Sequence, residues 1–135
     1  MHTTLPMQKA EVLVISNNAG KKYIYFSALT RLGYRCYTAQ DIQEAEMHLK
    51  LSNKIEIVVL FIADGPFIHN VSLNELLIKY FKRSTRLFLI GKEPEQQFQD
   101  LFNSPDSSKY GVHFLPDTIG IRTLIIHIQN TKPFK

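Results

Sequence analysis

The stretch Ile55-Glu56-Ile57-Val58-Val59-Leu60-Phe61-Ile62 does most to limit what this chain can become. It is a near-continuous apolar run rich in β-branched residues. A strand that is apolar on both sides needs a layer of structure against each face. The segments around it alternate between strand and helix patterns, which supplies such layers.

Glu11 to Ser16 reads as a buried strand, followed by a turn-rich Asn17 to Gly20. Lys21 to Leu32 carries Tyr23, Phe26, Leu29 and Leu32 at helical spacing, and Gly33 stands where a C-terminal glycine cap belongs. Tyr34 to Thr38 is a short second strand. Asp41 with Glu44 opens a second helix in capping-box fashion, its apolar side formed by Ile42, Ala45, Leu49 and in part Met47. After the central run and a loop over Ala63 to Val71, Ser72 and Glu75 open a third helix through Leu76, Leu77, Tyr80 and Phe81. Leu87 to Ile90 is a fourth strand, Pro94 to Phe102 a fourth helix, and Val112 to Leu115 a fifth strand. Thr118 to Gln129 is the last helix, with Ile121, Leu124, Ile125 and Ile128 facing inward. Regular alternation implies right-handed crossovers and a parallel sheet with helices on both faces. No internal repeat breaks the pattern, so residues 1–135 are expected to form a single domain, with 1–10 an N-terminal extension and 130–135 a tail or the start of a linker.

The 135 residues carry a formal net charge of +4. The basic residues are scattered; the loose group Lys79, Lys82, Arg83 and Arg86 reads as a solvated helix end. No basic arm, zinc spacing or helix-turn-helix pair accompanies the charge, which argues against nucleic acid as the partner of this domain. The single cysteine, Cys36, allows no internal disulfide framework and fits a reducing cytoplasm, where it reads as a small core residue. The first ten residues lack the apolar centre of a signal peptide, and the longest apolar run is far too short to span a bilayer.

Order and spacing resemble one family. Leu29-Thr30-Arg31-Leu32-Gly33-Tyr34-Arg35-Cys36-Tyr37-Thr38-Ala39, Glu44-Ala45, Gly111 and Leu124 fall where receiver domains of bacterial response regulators carry similar residues. The resemblance covers nearly the whole chain. It implies an α/β, flavodoxin-like five-stranded parallel sheet of order 2-1-3-4-5 with helices on both faces. It also locates the positions at which receivers accept a phosphoryl group, and those positions are exchanged. Ser16 and Asn17 stand where an acidic pair holds magnesium. Phe61 stands at the phosphate-accepting aspartate, Gly91 at the hydroxyl residue after the fourth strand, and Asp117 at the lysine after the fifth.

Phosphoryl transfer to a carboxylate needs a nucleophilic aspartate, a divalent cation and a positive side chain that absorbs charge. Magnesium prefers hard anionic oxygens, and Ser16 and Asn17 offer neutral ones. The implied protein is a pseudo-receiver: not an enzyme, with no catalytic residue, metal or cofactor, working through a protein partner or a second copy. The surface that many receivers use is the fourth helix, fifth strand and fifth helix; here it would draw on Phe98, Leu101, Phe102 and Phe114. An alternative is a small-ligand domain, since the crevice at the carboxyl ends of such strands would be neutral and partly apolar and would suit a nucleotide, a flavin or an apolar effector. A third reading, a phosphorylatable receiver using Asp64, would still lack the acidic pair and the lysine.

Blander roles stand beside these. Asp117 reads first as a cap of the last helix. His69 and His113 are placed near the altered end of the sheet as ordinary loop and strand-end histidines. Asn18-Ala19-Gly20-Lys21-Lys22 lacks the spacing of a phosphate-binding loop.

Overall fold

The computed structural model describes residues 10–62, 75–76, 79–81, 85–91 and 111–130. In chain order these form β1 (Glu11–Ile15), α1 (Ala19–Arg31), β2 (Arg35–Ala39), α2 (Ile42–Leu51), β3 (Ile55–Phe61), β4 (Arg86–Gly91), β5 (Val112–Pro116) and α3 (Ile121–Asn130). Residues 75–76 and 79–80 are also helical. The five strands make one parallel sheet in the order β2-β1-β3-β4-β5, as the sequence implies. The fourth helix expected over Pro94 to Phe102 lies outside the described residues.

The central run behaves as its composition requires. Ile57, Val58, Val59 and Leu60 are all fully buried, at about 1.5–3 kcal/mol for each such side chain. The pairing of β1 with β3 shifts by one residue between Glu11 and Val12, so Glu56 is extra. Beyond this bulge, the side chains of β3 alternate between two cores. Val58, Leu60 and Ile62 join Leu13, Ile15, Ala45, Leu49, Leu76 and Phe81 on one face. Ile57, Val59 and Phe61 join Val12, Val14, Tyr25, Leu29, Leu124 and Ile128 on the other. Thus α2 covers one face of the sheet, and α1 with α3 covers the other.

Local signals fix the helix ends. Asn18 accepts a hydrogen bond from the Lys21 amide at 2.9 Å, and Asp41 accepts one from the Glu44 amide at 2.8 Å; such caps contribute about 0.5–2 kcal/mol. Gly33 adopts a φ of 95°. Its amide donates to Thr30 O, and that of Tyr34 donates to Leu29 O, both at 3.0 Å. That pair of bonds is the glycine-terminated ending expected from the sequence.

Three expectations need correction. Tyr23, Phe26 and Leu32 are exposed; the buried side of α1 is Tyr25 and Leu29. Met47 is likewise exposed. Arg86 does not belong to a solvated helix end: it opens β4 and is buried. Burial pulls its guanidinium below the usual arginine range, against the opposing charges of Glu56 and Tyr34. Lys79 is exposed and pairs with Glu46 at 3.6 Å, whereas Lys82 and Arg83 lie outside the described residues. Among the described residues no helix is long and apolar enough to cross a membrane.

Candidate functional site

The carboxyl ends of β1, β3, β4 and β5 bring the exchanged positions to one edge of the sheet. Ile15 pairs with Leu60, Leu60 with Leu89, and Leu89 with Phe114. Ser16 is therefore level with Phe61, which in turn pairs with Ile90. Gly91 sits one step further out, paired with Pro116, and the Asp117 amide donates to Gly91 O at 2.9 Å.

Ser16 is fully buried. Its amide donates to Ala39 O at 2.9 Å and its hydroxyl oxygen accepts from the Asn18 amide at 3.0 Å. Asn17 is exposed, and Asn18 caps α1. The β1–α1 loop thus spends its side-chain oxygens at positions 16 and 18 on helix initiation, a local role that serine and asparagine favour.

Phe61 is buried on the α1 side of the sheet. Its ring centre lies 5.2 Å from that of Tyr25, tilted by 53°, within the range of favourable aromatic pairs. Lys21 Nζ lies over the ring, 4.5 Å from its centre, close enough for a cation–π attraction. Sequence reasoning missed Lys21. The only signal in the sequence was its place in the first turn of α1, on a long side chain able to reach the sheet.

Gly91 is buried, and a β-carbon there would meet Ile62 Cβ and Cδ1 at 3.5 Å and Phe114 Cζ at 3.7 Å. Phe114 is half-buried and packs against the core on the α2 side. Asp117 is exposed and does not cap the last helix. A turn closed by the Ile119 amide on Pro116 O carries the chain onward, and the first bond of α3 runs from the Leu124 amide to Gly120 O. His113 is also not near this edge. It is the second residue of β5, pairs with Phe88 and stacks on its ring at 5.1 Å. Asp64, His69, Phe98, Leu101 and Phe102 lie outside the described residues.

These groups do not make a donor set for magnesium. A divalent cation wants several hard, preferably anionic oxygens. Position 61 offers a hydrocarbon ring, the Ser16 oxygen already accepts a backbone bond, and among the described residues no three His, Cys, Asp or Glu side chains stand together.

No family model matches this chain, and no curated protein matches it in sequence. Solved structures do match it in shape. The signal receiver domain of an HD domain-containing protein from Pseudomonas fluorescens Pf-5 has a TM-score of 0.68 at 14% identity, covering 96% of this chain and 90% of that one. A CheY-like response regulator receiver domain protein from Methanospirillum hungatei JF-1 has a TM-score of 0.71 at 10% identity, covering 89% and 90%. A probable two-component system response regulator/GGDEF domain protein has a TM-score of 0.70 at 16% identity, covering 90% of this chain and 48% of that one. At these identities the likeness establishes the fold: the chain has the flavodoxin-like fold of response-regulator receiver domains.

Proposed function

We propose that this chain is a pseudo-receiver, a signalling module that takes no phosphoryl group and acts through protein–protein contact. One observation carries the reading. Phe61, at the end of β3, is packed between Tyr25 and the Lys21 ammonium, where the receiver resemblance calls for a phosphate-accepting aspartate. A phenyl ring cannot act as a nucleophile, and the neighbouring Ser16 oxygen is already engaged in starting α1. The exposed Asp117 adds negative charge where a receiver presents a lysine.

The contact surface in this reading is the one many receivers use, with Phe98, Leu101, Phe102 and Phe114 as its candidate residues. The occupant is an output domain or a separate partner protein, or a second copy of the chain. The receiver-fold neighbours include a GGDEF domain protein and an HD domain-containing protein, which supports a module that addresses other domains.

Capture from the native host with the immobilised chain tests this. The same partner should be recovered in equal yield with and without a small phosphodonor and magnesium. Recovery that depends on the phosphodonor would overturn the proposal.

A further inference from the structure

The outer side of α1 carries two large aromatic side chains that the core leaves out. Tyr23 is 72% exposed and Phe26 is 43% exposed. With the exposed Thr30 they stand at i, i+3 and i+7, in one line along the helix. Two contacts orient that line. Lys21 reaches Phe61 on β3, so its flank of α1 looks toward the middle of the sheet. Phe26 and Thr30 line a concavity with Gly33, Tyr34 and Cys36, so their flank looks toward β2, an edge strand.

The charge beside this line has one sign. From Val12 to Gln40 the chain holds Lys21, Lys22, Arg31 and Arg35 and no acidic residue. By helical geometry Lys22 lies on the sheet side of the aromatic line and Arg31 on its solvent side. Strand alternation puts Arg35 with Tyr37, and Glu11 with Leu13, on the α2 face, so neither belongs to this flank. Lysines in the first turn oppose the helix dipole, and that turn contains no acidic residue to offset them. Lys21 is engaged with the Phe61 ring. An anion arriving from outside would offset the charge of Lys22.

We propose that this flank of α1 docks an acidic amphipathic helix of a partner protein. Apolar residues of that helix cover Tyr23 and Phe26, and its carboxylates meet Lys22 and Arg31. Tyrosine and arginine are among the side chains that most often anchor such contacts. A second copy of the chain fits less well, because a two-fold contact here would set lysines and arginines against one another. An added strand fits less well too. The Ser16 amide donates to Ala39 O, so the Ala39 carbonyl faces β1 and the Thr38 carbonyl faces outward. His48 Nε2 lies 3.0 Å from that outward oxygen and covers the edge. A lipid surface calls for a broad apolar face, and the broad apolar face of α1 is spent on the sheet. The flank shares no residue with the contact surface proposed above and would be a second one.

The test titrates the full chain into a fluorescently labelled peptide of about 20 residues, long enough to form a helix, and reads anisotropy. The peptide carries Leu at i, i+3, i+4 and i+7 with Glu on either side. It should bind with a dissociation constant below about 0.1 mM and more weakly as salt rises. The same peptide with Lys in place of Glu should bind roughly tenfold more weakly. The double variant Tyr23→Ala, Phe26→Ala changes two exposed positions and should keep its melting temperature while losing roughly tenfold in affinity. The double variant Lys22→Glu, Arg31→Glu should reverse the preference, binding the Lys peptide better than the Glu peptide. If that variant does not fold, the two peptides on the native chain and the aromatic variant still decide. No binding of the Glu peptide at about 1 mM, equal affinity for the two peptides, or unchanged affinity in the aromatic variant would each overturn the proposal. So would co-sedimentation with phosphatidylserine vesicles, or self-association of the chain, that is lost in the aromatic variant.

Discussion

The ammonium of Lys21 lies over the ring of Phe61, 4.5 Å from its centre. A residue in the first turns of α1 thus reaches across to the end of β3, placing a positive charge on the face of a buried aromatic. In aqueous surroundings such a contact contributes about 0.5–1 kcal/mol. Lys21→Met keeps most of the aliphatic contact and removes the charge. Its expected effect is a loss of stability of that size in denaturant melts, and one that disappears in a Phe61→Leu background.

Phe61 itself contributes far more. Truncation of a buried Phe to Ala costs about 3–5 kcal/mol, and a carboxylate at the same place adds a desolvation penalty. Phe61→Asp should therefore lose a large part of a typical domain stability of about 5–15 kcal/mol. It should also remain unphosphorylated, because a single carboxylate restores neither the metal site nor the lysine. Paired denaturant melts check the first outcome and intact mass the second. Wild-type stability in Phe61→Asp would contradict the packing described around it.

The sheet was legible in the sequence because strand signals and helix signals alternate without conflict. The side of α1 that faces the sheet was not. Tyr23, Ile24, Tyr25 and Phe26 are consecutive, so helical spacing selects both the Tyr23–Phe26 line and the Tyr25–Leu29 line. Packing decides for the second, since Tyr25 and Leu29 join Val14, Val59 and Phe61 in one core, with Tyr25 against Phe61. Asp117 looked like a helix cap because aspartate is favoured there; the intervening Pro116–Ile119 turn, which moves the helix start to Gly120, leaves no distinct mark in the sequence. Arg86 was misplaced for a similar reason: a basic residue beside Lys82 and Arg83 gives no hint that it enters a strand. Of the candidate site, the alignment of Ser16 with Phe61 follows from strand register, whereas the Lys21 contact depends on a long side chain whose direction no periodicity encodes.

Two glycines should respond oppositely to substitution. At Gly91 a β-carbon meets only ordinary contacts, the nearest at 3.5 Å, with no positive φ. Gly91→Ala should be neutral or stabilising by up to about 1 kcal/mol. Gly111 has a φ of 56°, and its β-carbon would lie 3.3 Å from Arg86 Cγ, so Gly111→Ala should lose about 1–2 kcal/mol. Thermal melts of both variants check the contrast.

Acid should weaken the fold through His113. Burial holds its pKa below the ordinary histidine value, with further contributions from the charges of Arg86 and His127. The unfolded chain therefore takes up the proton first as pH falls. The stability associated with a neutral His113 is fully present above about pH 6.5 and is lost as pH falls toward the lowered folded value. His113→Phe should flatten the part of the stability–pH curve below that point. An unchanged slope would place the acid sensitivity elsewhere.

Magnesium should add no stability. A ligand bound only by the native state would add about 2.7 kcal/mol at a hundredfold excess over its dissociation constant. The Ser16, Asn17 and Phe61 positions supply no anionic oxygen. Melting temperatures with millimolar magnesium and with potassium at matched ionic strength should coincide.

The most direct measurement is the intact mass of the chain after incubation with acetyl phosphate and magnesium. The pseudo-receiver account expects an unchanged mass at every time point. A gain of one phosphoryl group that is lost in Asp64→Asn would contradict it and would move the accepting position from Phe61 to Asp64.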